Sequence, residues 1–128
     1  MPLTHPCLSI DTEHQSDAYV IRLVGELDLG GCPDLELALA EAEQSQPRRI
    51  VLDLEELTFI DARGLRSLVN ATRRSACNGN CLQITRGRGV VADMFRLTAL
   101  DRRLPLTEPA QCPAIRGAGL APGTESTE

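Results

Sequence analysis

The 128-residue chain is long enough for one domain and too short for two, and its 42% hydrophobic content can furnish a core. Its 13 basic residues, all arginine, face 18 acidic ones, for a formal net charge of −5. An acidic chain whose aromatics are Tyr19, Phe59 and Phe95 lacks the basic groove and stacking rings of a single-strand nucleic-acid binder. Without lysine there is no Walker-type phosphate loop and no Schiff base.

Met1 to Cys7 carries neither a cationic nor an apolar signal region. No apolar run approaches the ~20 residues of a membrane span, so a cytoplasmic protein is expected. Five cysteines, an odd number, fit that compartment better than a disulfide framework. Cys77 and Cys81 have no histidine near them, so neither a metal site nor a cofactor is expected.

Residues 1–7 read as a flexible lead-in. Leu8 to Glu13 and Tyr19 to Val24 read as two strands joined by the polar His14-Gln15-Ser16-Asp17. Gly25-Glu26-Leu27-Asp28 leads into a Gly30-Gly31 loop, and Pro33 marks the first position of a helix with Asp34 and Glu36 in its first turn. Leu35, Ala38, Leu39 and Ala42 give that helix its buried stripe, and it ends before Pro47. Ile50 to Leu54 is a nearly continuous apolar run, the pattern of a strand covered on both faces. Asp61 is the N-cap of a second helix, with Leu65, Leu68, Val69, Thr72 and Ala76 as its core face, and Asn78-Gly79-Asn80 stops it. Cys81 to Thr85 is a further strand. Val90 to Leu100 is a third helix, with Val91, Met94, Phe95 and Thr98 inward. Leu104-Pro105-Leu106 is an edge strand, and 108–128, rich in Pro, Gly, Ser and Thr, reads as a disordered tail.

The order β-β-α-β-α-β-α-β implies an α/β domain over 8–107, with a mixed, mostly parallel sheet and helices packed on it. Function in such sheets gathers at the carboxyl ends of strands, where Asp28, Asp53 and Asp61 fall. A receiver-type phosphate acceptor would need a lysine that is absent. A hydrolase would need a histidine to pair with Ser67, Ser75 or a cysteine, and none lies in the second half. Binding without catalysis is the expectation.

Asp53-Leu54, Phe59 and Asp61-Ala62-Arg63-Gly64-Leu65 resemble the signature of STAS domains, named for sulfate transporters and anti-sigma factor antagonists. Gly25-Glu26-Leu27-Asp28 and Leu97-Thr98-Ala99-Leu100-Asp101 are similar to two further landmarks of that family. A copy without membrane spans resembles the stand-alone antagonist. The resemblance implies a protein that docks on an anti-sigma factor, usually a serine kinase, and so frees a sigma factor. It implies a phosphorylatable serine just after the helix-starting Asp, where free backbone N–H groups face an added phosphate. Here Ala62 stands at that position and has no hydroxyl. The alternative in this family is an accessory subunit of a membrane transporter complex.

By the resemblance, the partner-binding surface comprises Asp28, Asp61, Ala62, Arg63, Gly64 and Arg66. Gly64 is expected to let the helix start pack closely. The first helix carries four acids and no base, the second four arginines and one acid. Arg63 and Arg66 read as docking residues for an acidic partner, Arg73 and Arg74 as a solvated face. With Ala62 unable to take phosphate, the protein is either permanently competent to bind or regulated by another chemistry, for which redox is the candidate switch. Cys77 and Cys81 flank a turn, Cys112 lies in the tail within reach of either, and Cys32 sits beside the docking surface; otherwise Cys77 and Cys81 are small buried hydrophobes.

Overall fold

The computed structural model describes residues 3–5, 7–15 and 17–108. Among them, six strands form one sheet in the order β1-β2-β3-β4-β5-β6. They are β1 (Leu3–His5), β2 (Leu8–His14), β3 (Ala18–Leu27), β4 (Arg49–Ile60), β5 (Cys81–Thr85) and β6 (Leu106–Thr107). The β1–β2 and β2–β3 pairs are antiparallel; β3–β4, β4–β5 and β5–β6 are parallel. Helices α1 (Cys32–Gln44), α2 (Ala62–Asn78) and α3 (Gly89–Leu97), then a 3-10 turn at Leu100–Arg102, fill the crossovers. This is the expected mixed, mostly parallel α/β sheet.

The N-terminus departs from expectation. Leu3–His5, read as part of a flexible lead-in, pairs with the outer edge of β2, Leu3 opposite Ile10, because an unpaired strand edge accepts any extended segment. Residues 109–128, including Cys112, lie outside the described residues.

One core cluster joins β2 and β3 to all three helices. Leu35, Ala38, Leu39 and Ala42 of α1 are buried in it, with Ile50, Leu52 and Leu54 of β4. On α2 the buried face is Gly64, Leu65, Ser67, Leu68, Ala71 and Ser75. Val69 and Thr72 are half-buried and Ala76 is exposed, so the true stripe is rotated toward small residues that let α1 and α2 approach. Ser75 remains satisfied there by donating to the Asn80 carbonyl at 3.0 Å. Gly79, in the left-handed region at φ 81°, ends α2 as expected. In α3, Val91 and Phe95 are inward, but Thr98 is exposed. The helix ends at Leu97, since Ala99 turns left-handed at φ 61°.

Ile50 to Leu54 is buried throughout, yet its two faces differ. Val51 joins Ala18 and Val20 in a small separate cluster. Next to it Asp53, 5% exposed, accepts from Arg22 Nε at 3.2 Å and from the Glu55 N–H at 3.0 Å. Asp53 therefore lies mid-strand in a buried ion pair and not at the functional edge. The strand itself runs on to Ile60, past polar Glu55, Glu56 and Thr58, because β3 continues to pair with it through two register shifts as far as Leu27↔Ile60.

Candidate functional site

β3 and β4 end side by side, and each feeds a helix. At the end of β4 the Asp61 N–H donates to the Leu27 carbonyl at 3.2 Å, which ties the two strand ends together. Asp61 has extended backbone (φ −107°, ψ −174°), and its Oδ1 accepts from the Arg63 and Gly64 N–H groups, both at 3.0 Å. That satisfies two of the free donors of a helix start and leaves Ala62 and Arg63 exposed on its rim. Gly64 is buried against the strands: a Cβ there would lie 2.8 Å from Ile60 Cγ1 and 2.9 Å from Leu27 Cγ. The close packing expected of Gly64 is what the structure shows.

The start of α1 is built differently. Asp28 Oδ1 accepts from the Gly30 N–H at 3.0 Å and the Gly31 N–H at 3.3 Å, and its carbonyl accepts from Gly31 and Cys32. No side chain caps the helix, which begins at Cys32, one residue before Pro33. Leu29, at the tip of this loop, is 57% exposed.

Between the two helix starts runs a groove of about 310 Å³ lined by Leu29, Cys32, Pro33 and Glu36 on the α1 side and Arg63, Arg66, Ser67 and Asn70 on the α2 side. Burial pushes the Cys32 thiol above its ordinary value, Asp61, Glu36 and Asp28 push it the same way, and a hydrogen bond with Ser67 opposes them. Arg63, Arg66 and the two aspartate loops thus share one end of the sheet. Cys32, Ser67 and Asn70 complete the site. The spacing 63, 66, 67, 70 is one helical face, which could have pointed to Ser67 and Asn70; Cys32 lines the groove beside them, next to the surface where the sequence set it.

Other expectations move. Arg74 is not on a solvated face: its Nε lies 2.9 Å from Glu43 and its Nη2 3.4 Å from Glu36, clamping α2 to α1. Arg73 is exposed. Cys77 and Cys81 are exposed free thiols rather than buried hydrophobes, and they sit at the far end of α2. Among the described residues, donors for a metal gather at Cys7, Glu26 and Asp28, whose ligand atoms lie within 4.8 Å of one another on an exposed rim. None of the described helices is long and apolar enough to cross a membrane.

Residues 10–108 match the family model described as "Mlab, STAS domain". The chain belongs to the STAS-domain family. The anti-sigma-B factor antagonist of Staphylococcus aureus (strain NCTC 8325 / PS 47) is 29% identical to this STAS protein over 101 residues, 79% of this chain and 94% of the relative. That of Staphylococcus epidermidis is 26% identical over the same share. Among solved structures, an anti-sigma factor antagonist from Mycobacterium paratuberculosis superposes with a TM-score of 0.75 at 25% identity, covering 89% of this chain and 99% of the other. The unphosphorylated antagonist SpoIIAA shares the fold, with a TM-score of 0.69 at 20% identity over 88% and 99% of the two chains.

Proposed function

We propose that this STAS protein is a cytoplasmic anti-sigma factor antagonist that docks on a kinase-type anti-sigma factor through the start of α2 and so releases a sigma factor. The observation that carries this reading is the match, over 94% of their length, to relatives named anti-sigma-B factor antagonists, combined with a capped, exposed helix start. The docking residues are Asp28, Asp61, Ala62, Arg63, Gly64 and Arg66. Asp61 and Gly64 act by fixing the backbone, Ala62, Arg63 and Arg66 by direct contact, and Asp28 by holding the neighbouring loop.

Ala62 stands where the resemblance calls for serine. It has no oxygen to accept a phosphoryl group, so the antagonist stays competent to bind in the presence of kinase and ATP. Cysteine oxidation is the proposed regulator, and the exposure of Cys77 and Cys81 supports it by leaving both thiols accessible to oxidant. The proposed switch is a disulfide between Cys112 and Cys77 or Cys81, formed as the two thiols give up two electrons and two protons to a cellular disulfide such as oxidised glutathione, which leaves as two thiols.

The test is capture of partners by the immobilised full chain from its native cytoplasm, followed by a transcription assay with the captured anti-sigma factor and its sigma factor. Restored transcription that ATP does not reverse supports the reading. Capture of a transporter ATPase or permease in place of an anti-sigma factor would transfer the chain to the accessory-subunit class. Equal affinity with and without reductant would end the redox part alone.

A further inference from the structure

The charge on α2 is unevenly answered. Its one acid, Asp61, caps the helix, and Arg74 is held by Glu36 and Glu43 of α1. Arg66 and Arg73 are exposed, and neither forms an ion pair with any described residue. They stand seven residues apart, about two helical turns or ~10 Å along the axis, with Asn70 between them. Arg66 and Asn70 line two depressions at once: the groove of about 310 Å³ toward α1 and a second of about 370 Å³ on the other flank. The second is lined by apolar Ala62, Leu65, Val69 and Leu100 and closed by Arg73. The pattern is a basic ridge with a groove along each side, on a protein whose net charge is −5. The α1-side groove is mixed, with Leu29 and Pro33 beside Arg63 and a Glu36 that is already paired with Arg74, and the other is mainly apolar.

We infer that this ridge receives an acidic amphipathic helix of the partner, with carboxylates about two turns apart meeting Arg66 and Arg73 and apolar side chains entering the two grooves. The inference rests on the antagonist reading and specifies the partner's chemistry. It extends the interface from the start of α2 to Arg73, a residue that the helix sequence alone leaves as solvated surface. Charge complementarity selects the occupant. An acidic helix lowers the repulsion among uncompensated arginines, whereas a basic or neutral one leaves them unanswered.

The test uses two synthetic helical peptides that are alike except for their charged positions: glutamates two turns apart flanked by leucines, or lysines in their place. Each is titrated into the isotope-labelled full chain while backbone amide shifts are followed. The expected result is that the glutamate peptide alone moves the Leu65, Arg66, Asn70, Arg73 and Leu100 amides. Its affinity should fall at least tenfold in Arg66→Glu/Arg73→Glu and weaken as salt rises from about 50 to about 300 mM. Arg48→Glu, an exposed arginine at the opposite end of the sheet, supplies a single charge-reversal control and should stay within twofold of the parent. Equal binding of both peptides, shifts confined to other surfaces, or no binding overturns the ridge. So does concentration-dependent self-association that Arg66→Glu/Arg73→Glu abolishes, because the ridge would then receive the acidic α1 of a second copy. Failure of the parent chain to release the sigma factor counts against the antagonist reading and leaves a peptide-binding ridge standing. Sigma release untouched by Arg66→Glu/Arg73→Glu, with no peptide binding, removes the ridge and keeps the function.

Discussion

Two helices start at the same end of the sheet and do so by different means. The start of α2 is fixed from three sides, by the Asp61 cap, by the bond from Asp61 to Leu27, and by Gly64 seated on Leu27 and Ile60. The start of α1 has a turn held by Asp28, an uncapped first residue beside an exposed Leu29, and Gly31 seated on the flexible end of the Leu8 side chain. Both deliver residues to one groove, but only α2 presents its rim as a preorganised surface, and preorganisation lowers the ordering cost of docking. The lesson is that α2 supplies position and α1 supplies a wall.

The sharpest way to break this contrast is at the glycines. Gly64→Val forces a branched side chain into the Leu27 and Ile60 contacts, and should cost about 2–3 kcal/mol in urea unfolding by overpacking. Gly31→Ala meets mainly the terminal methyl of Leu8, at 2.7 Å, and should cost clearly less; equal losses would mean that the two starts are equally constrained. Next come the aspartates. Asp61→Ala removes a true cap and should destabilise by about 1–2 kcal/mol, while Asp28→Ala, which loosens a turn, should cost about 1 kcal/mol or less. A reversed order would make α1 the better-fixed helix.

Smaller effects sharpen the picture. Arg74→Ala should lose about 0.5–1 kcal/mol by releasing the clamp between the helices, whereas Arg63→Glu should leave stability unchanged within about 0.5 kcal/mol and lower partner affinity. Unaltered affinity in Arg63→Glu would remove Arg63 from the interface. Smallest of all is a rate. Because burial and three nearby acids hold the Cys32 thiol protonated, its alkylation should lag that of exposed Cys77 and Cys81 at neutral pH. It should catch up only as the pH rises above 9.0, the ordinary value that Cys32 exceeds. Mass mapping of a timed alkylation checks this, and faster labelling of Cys32 would place it in a more open wall.

The framework was readable from pattern because apolar periodicity decided it. The α1 stripe is built from Leu and Ala at helical spacing, and every member is buried. The α2 stripe was readable in part: Leu65 and Leu68 are buried as expected and Val69 packs on the core, but close helix packing also recruited Ser67 and Ser75, whose polarity hides them from an apolar count. The length of β4 was hidden for the related reason that Glu55, Glu56 and Thr58 look like loop residues, although pairing with β3 extends them. At the site, the Asp61 cap is local and was legible, and the close packing of Gly64 was expected although Leu27, on another strand, helps to set it. The meeting of Cys32 with Ser67 and the capture of Arg74 by Glu43 depend on how two helices lie together, and no single stretch of sequence records that.

The reach of β4 has one more outcome. Its ladder with β5 stops at Leu52↔Ile84, and the Thr85 hydroxyl then accepts the Leu54 N–H at 2.8 Å, closing off that edge. Beyond this point β4 keeps β3 as its one strand neighbour among the described residues as far as Leu27↔Ile60, while β3 stays paired with β2 on its other side to Leu8↔Gly25. Leu27, Leu57 and Ile60 are buried in the core, so both helix starts are mounted on a packed corner of the sheet. The bond from the Asp61 N–H to the Leu27 carbonyl joins the two strand ends at that corner, which fixes the spacing of the Asp28 and Asp61 loops.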